Sequence, residues 1–139
     1  MFRLLSFAAS CLVAAAMLGA LTEARAGTIG VHVASMHFPE RDFNNFNPGL
    51  YYRSDLGWTA GAYRNSLRQV SAYAGYTWER GVFGLTAGAV SGYAGNSVQP
   101  LLVPSMSVFA VHGATARLAF IPRVEKRIGS HVLHLMMEF

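Results

Sequence analysis

The sequence has little cysteine, and it lacks the common motifs of metal and nucleotide sites. Cysteine occurs once in 139 residues, as Cys11, and charged residues make up 13% of the chain. With no second cysteine, the chain cannot be a disulfide scaffold. It also contains no H-E-x-x-H, P-loop or G-x-S-x-G pattern. We therefore expect neither a metal nor another cofactor.

Clustered charge of one sign is also lacking. The net charge is +4, and basic residues such as Arg41, Arg53, Arg64 and Arg68 are scattered along the chain. Recognition of nucleic acid needs a basic stripe or patch, so we expect no nucleic-acid partner. Basic residues close to a membrane surface would instead favour anionic lipid headgroups.

A long apolar run occurs only at the N terminus. Residues 1–3 form a short basic start, residues 4–21 are almost wholly apolar, and residues 24–26 read Ala-Arg-Ala. This order is typical of a secretory signal, so we predict that residues 1–26 are a signal peptide and that residues 27–139 are exported. A transmembrane helix is the alternative, because the run is near the lower limit for spanning. Too little apolar sequence precedes Cys11 for a lipoprotein anchor.

The rest of the chain is patterned as strands and turns. No apolar period of 3.6 residues persists, and alternating segments are separated by turn signals. The candidate strands are residues 28–37, 49–54, 58–65, 69–78, 82–91, 101–110, 115–121 and 131–139. Eight is the smallest number of strands usual in bacterial barrels, which need about nine to eleven residues per spanning strand. We predict an all-β fold, an eight-stranded antiparallel up-and-down transmembrane β-barrel of residues 27–139. A soluble barrel or sandwich is the alternative.

The last candidate strand has apolar residues at Leu133, Leu135 and Met137 and ends on Phe139. This pattern resembles the C-terminal signature of bacterial outer-membrane barrels, in which the last strand pairs with the first. If both termini lie on the periplasmic side, the topology brings His32, His37 and Ser66 to the outer half of the barrel.

The faces of the strands can also be predicted. Within residues 82–91, Phe83 and Leu85 lie on one face, which would meet lipid, and Gly84 and Gly88 lie on the other. The small second face indicates a lumen that contains space. Tyrosine and tryptophan residues near the strand ends suit interfacial girdles, although both residue types also fill soluble cores. They are Tyr51, Tyr52, Trp58, Tyr63, Tyr73, Tyr76, Trp78 and Tyr93.

Candidate catalytic residues are few. A serine and a histidine within reach of each other can act as nucleophile and base. Ser66 follows Asn65 at a strand-to-loop corner, where an asparagine could donate to an oxyanion, although Asn-Ser is also ordinary turn sequence. His131 and His134 are three residues apart, so on a strand they face opposite sides and cannot chelate a metal together.

Several motifs in colinear order resemble the lipid A palmitoyltransferases (PagP). They lie at residues 29–32 (IGVH), 58–66 (WTAGAYRNS), 73–79 (YAGYTWE), 83–88 (FGLTAG), 99–107 (QPLLVPSMS) and 120–122 (FIP). The resemblance implies a monomeric eight-stranded outer-membrane barrel that moves an acyl chain from a phospholipid to lipid A. It also implies that His32 is the base and that Ser66 is the adjacent catalytic hydroxyl, with Asn65 in support.

The same resemblance implies a path for the acyl chain. The chain would lie in the lumen, where Gly84 or Gly88 would set its length. Prolines would open lateral access to lipid, because proline cannot donate to a strand ladder. The matching positions are Pro100, Pro104 and Pro122.

This chain departs from the family in two ways. Asn65 stands where the family has an aspartate, and Asp42 is the nearest candidate to replace that carboxylate. The family also begins with an amphipathic helix, for which this chain has no room before its first strand. A non-catalytic barrel that binds lipid or an extracellular partner therefore stays open as the alternative function. Residues 47–49 (NPG) with an upstream histidine bear a weaker resemblance to lipid A deacylases.

Overall fold

The computed structural model describes residues 27–93, 97–122 and 130–139, and their regular structure is entirely β. The strands are β1 (Gly27–Phe38), β2 (Phe46–Ser54), β3 (Trp58–Arg64), β4 (Val70–Arg80), β5 (Phe83–Tyr93), β6 (Ser97–Val111), β7 (Ala114–Ile121) and β8 (His131–Glu138). Sequence neighbours pair antiparallel, and β8 returns to pair with β1, which closes a barrel. The predicted eight-stranded up-and-down β-barrel is confirmed. Residues 1–26, the predicted signal peptide, lie outside the described residues.

The two ends of the barrel differ in their connections. At one end, called here the short-turn end, tight turns at residues 55–57, 81–82 and 112–113 join β2–β3, β4–β5 and β6–β7. Each of these turns contains a glycine with positive φ, at 98° for Gly57 and 61° for Gly81. The other end, called the long-loop end, carries the connections at residues 39–45 and 65–69. Within the described residues, no helix is long and apolar enough to cross a membrane.

The barrel is polar inside and apolar outside. The described residues that are buried comprise five hydrophobic side chains and twelve polar or charged ones, so polar groups dominate the interior. The outer wall carries large apolar side chains such as Phe83, which is 62% exposed, and Leu102, which is 59% exposed. The predicted faces of β5 are confirmed, because Phe83 and Leu85 point outward while Val90 is buried.

The aromatic side chains predicted for the girdles divide between the outer wall and the interior. Trp58 and Trp78 are exposed on the outer wall near the short-turn end. Tyr51, Tyr63, Tyr73 and Tyr93 instead line the interior, so their assignment to a girdle was wrong. Their hydroxyls explain the difference, since each finds a polar partner inside the barrel.

A β-bulge at Val33 changes which residues of β1 face inward. The pairing of β1 with both neighbours shifts between His32 and Ala34. Residues with even numbers point inward before the bulge, and residues with odd numbers do so after it. His32 and His37 are therefore both buried, and Ser35 lines the interior with them. Bulges re-aim side chains in this way, often beside functional sites.

The ladder between β6 and β7 ends part-way along the barrel. Among the described residues, the last pair toward the long-loop end is Ser105 with Ala119. Phe120 continues β7 but pairs only with Leu133 of β8, and Pro104 of β6 pairs only with β5. We call this part of the wall, from Pro104 and Phe120 toward the long-loop end, the seam.

Candidate functional site

The interior holds a cavity of about 770 Å³ that extends to the long-loop end. This volume is within the range of small-molecule sites, about 300–1,000 Å³. Its apolar wall is formed mainly by β6, β7 and β8, through residues such as Leu101, Val103, Ile121 and Val132. The rest of the lining consists mainly of histidine, tyrosine, serine and threonine side chains. The cavity therefore combines an apolar surface with a polar one.

A chain of four hydrogen-bonded side chains crosses the polar side of the cavity; we call it the histidine chain. Ser35 Oγ lies 2.8 Å from His134 Nδ1. His134 Nε2 lies 2.8 Å from His32 Nδ1. His32 Nε2 lies 3.0 Å from the hydroxyl of Tyr73. All four nitrogens of the two imidazoles are therefore hydrogen-bonded within the barrel.

The 2.8 Å contact between the two imidazoles restricts their protonation. One nitrogen must donate and the other must accept, because two N–H groups cannot share this contact. If Ser35 donates to His134, then His134 donates to His32, and His32 donates to Tyr73. The order of donors reverses if Tyr73 donates first. The histidine chain can therefore shift its protons in either direction without losing a hydrogen bond.

Aromatic rings hold His32 in place. Its ring centroid lies 5.2 Å from that of Tyr51, 4.9 Å from Tyr63 and 5.6 Å from Tyr73. Gly30 makes room for this packing, since a side chain there would collide with the ring of Tyr51. The packed rings, together with the two hydrogen bonds, fix the orientation of His32.

Two arginines and two glutamates form a polar floor below the histidine chain, toward the short-turn end: Arg53, Glu79, Arg117 and Glu138. Glu138 Oε1 accepts from Arg53 at 2.7 Å and lies 3.0 Å from Arg117 Nε. Glu79 contacts the same two arginines, at 3.3 Å and 2.5 Å. Each arginine contacts both glutamates, and the two positive charges balance the two negative ones.

The polar floor and the histidine chain are joined by aromatic and hydroxyl groups. The Tyr51 hydroxyl donates to Glu138 at 2.6 Å while its ring packs against His32. Beside the floor, Thr77 bonds to Thr59 and to Thr86, each at 2.8 Å. Arg53 and Arg117 of the floor line the cavity.

The predicted catalytic residues line the same cavity, but they are not hydrogen-bonded to each other. His32 and Ser66 both line the cavity, as the topology predicted. His32 uses its two nitrogens on His134 and Tyr73, while Ser66 interacts with Tyr93. Tyr93 in turn bonds to Tyr63 at 2.9 Å, and the ring of Tyr63 packs against His32 at a tilt. The link between His32 and Ser66 therefore runs through two tyrosines.

Asn65 is fully engaged in shaping its own loop. Its side-chain amide donates to Ser71 Oγ and to the Gly92 carbonyl, both at 2.9 Å. Its side-chain oxygen accepts from the backbone N–H groups of Leu67 and Gln69, at 2.9 Å and 3.0 Å. This arrangement leaves no amide hydrogen for an oxyanion.

Asp42 does not take the place of the family's aspartate near His32. Its side chain is 97% exposed and forms a 3.2 Å ion pair with Arg68 at the surface. The carboxylate therefore faces away from the histidine chain.

The predicted lipid-access residues divide between the cavity and the wall. Pro100 and Pro122 line the cavity, and Pro104 marks the beginning of the seam. A side chain at Gly84 would meet Arg117 and Ser105 beside the polar floor. A side chain at Gly88 would meet the backbone of β4. Gly88 therefore allows close approach of two strands.

The members of the histidine chain that the sequence did not place in a site are Ser35, His134 and Tyr73. Strict alternation along β1 puts Ser35 on the face opposite His32, and only the bulge reverses this. The prediction that His131 and His134 face opposite sides of the strand is confirmed, because His131 is exposed and His134 is buried. No sequence signal showed that His134 would meet His32, because the two are 102 residues apart.

No group of three or more candidate metal ligands occurs among the residues that the structure describes. No protein-family model matches the chain, and no curated protein matches its sequence. The site is therefore interpreted from its own geometry.

Proposed function

We propose that the chain is an outer-membrane barrel. The inverted distribution of polarity supports this location, because a barrel in water would expose its polar face and bury its apolar one. Outward residues of β5 and β6 are apolar over most of their length, as at Phe83, Leu85 and Met106. Charged groups such as Arg117 and Glu138 are instead buried in the lumen.

We further propose that the barrel transfers an acyl chain from a phospholipid to lipid A. The observation that carries this proposal is that the cavity places a hydrogen-bonded histidine pair beside an apolar wall. An acyl chain needs an apolar surface, and transfer of an ester needs a base beside it. The resemblance to lipid A palmitoyltransferases supports the choice of lipid A as acceptor.

The seam provides a path for such a lipid. Val103 of β6 and Pro122, after β7, flank the unpaired stretch, and both line the cavity. Pro104 stands where the β6–β7 ladder ends, and it has no N–H group with which to extend the ladder. A lipid in the surrounding bilayer would reach the cavity sideways through this part of the wall.

Mass spectrometry of lipid A provides the test. The chain is expressed in a Gram-negative host that lacks its own lipid A palmitoyltransferase. The presence of the folded barrel in the outer-membrane fraction is then verified. We expect lipid A with one additional acyl chain, and we expect His32→Ala to remove it. An unchanged acyl pattern with folded barrel present would refute the acyltransferase. Release of the protein by osmotic shock would refute the location.

A non-catalytic lipid-binding barrel is the second candidate. The apolar wall of the cavity favours it, since this surface would hold an acyl chain with or without chemistry. In this case lipid would copurify with the barrel, and His32→Ala would leave its amount unchanged.

A further inference from the structure

The hydroxyl of Ser35, on β1, is hydrogen-bonded to the imidazole of His134, on β8. We propose that Ser35 is the nucleophile of this barrel and that His134 is its general base, an assignment that rests on the acyl transfer proposed above. Ser35 Oγ lies 2.8 Å from His134 Nδ1, within the range for direct proton transfer. Ser35 is half-buried and lines the cavity, so its hydroxyl is accessible to a bound ester.

The other aliphatic hydroxyls that line the cavity have different partners. Thr77 bonds to neighbouring threonines. Ser105 accepts from Arg117, whose guanidinium is already protonated and cannot act as a base. Ser130 donates to the Pro39 carbonyl at 2.8 Å. Ser66 interacts with Tyr93, so of the aliphatic hydroxyls that line the cavity, Ser35 is the one that bonds to an imidazole. A nucleophile beside a base is the arrangement on which covalent acyl transfer depends.

The remainder of the histidine chain prepares His134 for this task. When Ser35 donates to His134 Nδ1, the proton of His134 is on Nε2 and is held by His32 Nδ1, 2.8 Å away. His32 thus fixes the tautomer in which His134 accepts from Ser35. It is a positioning residue, as the third member of a catalytic triad is. Tyr73 in turn accepts from His32 at 3.0 Å.

The proposed reaction has two balanced halves. Ser35 Oγ attacks the carbonyl carbon of the phospholipid ester, and its proton passes to His134 Nδ1. The ester C–O bond then breaks, and the departing alcohol takes that proton. In the second half, the acceptor hydroxyl attacks the acyl carbon on Ser35 and gives its proton to His134. The bond from the acyl carbon to Oγ breaks, Ser35 recovers the proton, and the acyl chain leaves on the acceptor.

The pairing of Ser35 with His134 depends on the bulge at Val33. Without it, Ser35 would face outward while His134 faced the lumen. Bulges are frequent beside active sites because they re-aim side chains. The distortion in β1 thus has a function in this proposal: it places Ser35 and His32 on the same side of the strand.

Labelling with an alkyl fluorophosphonate tests the assignment. The purified barrel of residues 27–139 in detergent micelles is treated with the probe, and its peptides are analysed by mass spectrometry. We expect one adduct, on Ser35, and none in Ser35→Ala. His134→Asn keeps a hydrogen-bonding group near the position of Nδ1 but cannot take up a proton. It should slow labelling by about 10²-fold or more, the contribution typical of a general base.

Control variants separate catalysis from folding. Ser91→Ala removes a hydroxyl that bonds to the Ala72 backbone on the exposed wall, and it should label at the rate of the unchanged barrel. His32→Asn should label faster than His32→Ala, because asparagine can still bond to His134. Labelling at Ser66 would overturn the assignment, as would an unchanged rate in His134→Asn.

Thiol reactivity supplies a second measurement if the probe does not react. Ser35→Cys and Ser66→Cys each give a single thiol in the barrel of residues 27–139. Iodoacetamide should alkylate the thiol at position 35 about tenfold faster or more, because His134 accepts its proton. Adding His134→Asn should abolish this difference. Equal rates at the two positions would overturn the assignment.

The two proposals fail in different ways. If Ser35 is labelled but lipid A is unchanged, the nucleophile stands and the acyltransferase to lipid A fails. If lipid A gains an acyl chain and Ser35→Ala still adds it, the acyltransferase stands and the nucleophile fails.

Discussion

Arg53 and Glu138 meet inside the barrel, with Arg53 Nη1 donating to Glu138 Oε1 at 2.7 Å. Arg53 lies on β2 and Glu138 on β8, so the contact reaches across β1, the strand between them. Both side chains are more than 90% buried, at 9% and 7% exposure. The pair therefore ties the last strand to the second at the short-turn end.

Glu138→Gln should destabilise the barrel strongly. The substitution leaves Arg53 and Arg117 with Glu79 as their acidic partner in the polar floor, and an uncompensated buried charge costs about 3–5 kcal/mol. Urea unfolding in detergent micelles measures the change in free energy of unfolding. Glu40→Gln, at an exposed position of the 39–45 loop, is the control and should change little.

The double variant Arg53→Gln/Glu138→Gln should be more stable than Glu138→Gln alone. It leaves Arg117 paired with Glu79 at 2.5 Å, so the charges balance again. If the double variant unfolds at the same urea concentration as the single one, charge balance in the floor does not explain the loss.

Asn65→Asp restores the aspartate of the family that the sequence resembles, yet we expect it to damage this barrel. Asn65 donates to the Gly92 carbonyl at 2.9 Å, and a carboxylate has no hydrogen for that bond. A buried acceptor left without its donor costs about 1–3 kcal/mol. Unfolding of the variant should show this loss, with no gain in lipid A acylation. Asn45→Asp is the control, because the oxygen of Asn45 already accepts from His37 at 2.7 Å.

The sequence predicted the strands well and the site only in part. Alternation and turn signals depend on neighbouring residues, and they located the eight strands and the inward face of β5. The bulge at Val33 depends on pairing with β2 and β8, which no local pattern records. Ser35 was therefore missed while His32 was found. The four tyrosines of the lumen were misplaced because an amphipathic ring suits a membrane interface and a polar cavity equally.

Gly88→Ala should destabilise the barrel more than Gly81→Ala. A side chain at Gly88 would collide with the backbone of Ala74 and Gly75, which cannot move without breaking the β4–β5 ladder. Overpacking of this kind costs about 1–3 kcal/mol, and we expect the upper end. At Gly81, with φ of 61°, nothing lies near the new side chain. The cost there is the left-handed strain of about 1–2 kcal/mol. Urea unfolding of the two variants gives the comparison.

A reversible disulfide across the seam tests lateral access to the cavity. Continuing the register beyond Met106–Leu118 and Ser105–Ala119 sets Pro104 opposite Phe120. If the two strands draw together to the spacing of a paired ladder, directly opposed residues have Cα atoms about 4.5–5.5 Å apart, which suits a disulfide. In a chain with Cys11 replaced by alanine, Pro104→Cys/Phe120→Cys should therefore close the seam when oxidised.

We expect oxidation to slow lipid A acylation by the seam variant about tenfold or more, and reduction to restore it. The reason is that a closed wall excludes the donor lipid. Met106→Cys/Leu118→Cys is the matched control, because these residues already pair in the β6–β7 ladder. Its oxidation adds a bond to a closed part of the wall and should leave acylation unchanged. Full activity in the oxidised seam variant, with the disulfide verified by mass, would show that lipid reaches the cavity by another path. The long-loop end, where the connections at residues 39–45 and 65–69 lie, would then be the next path to test.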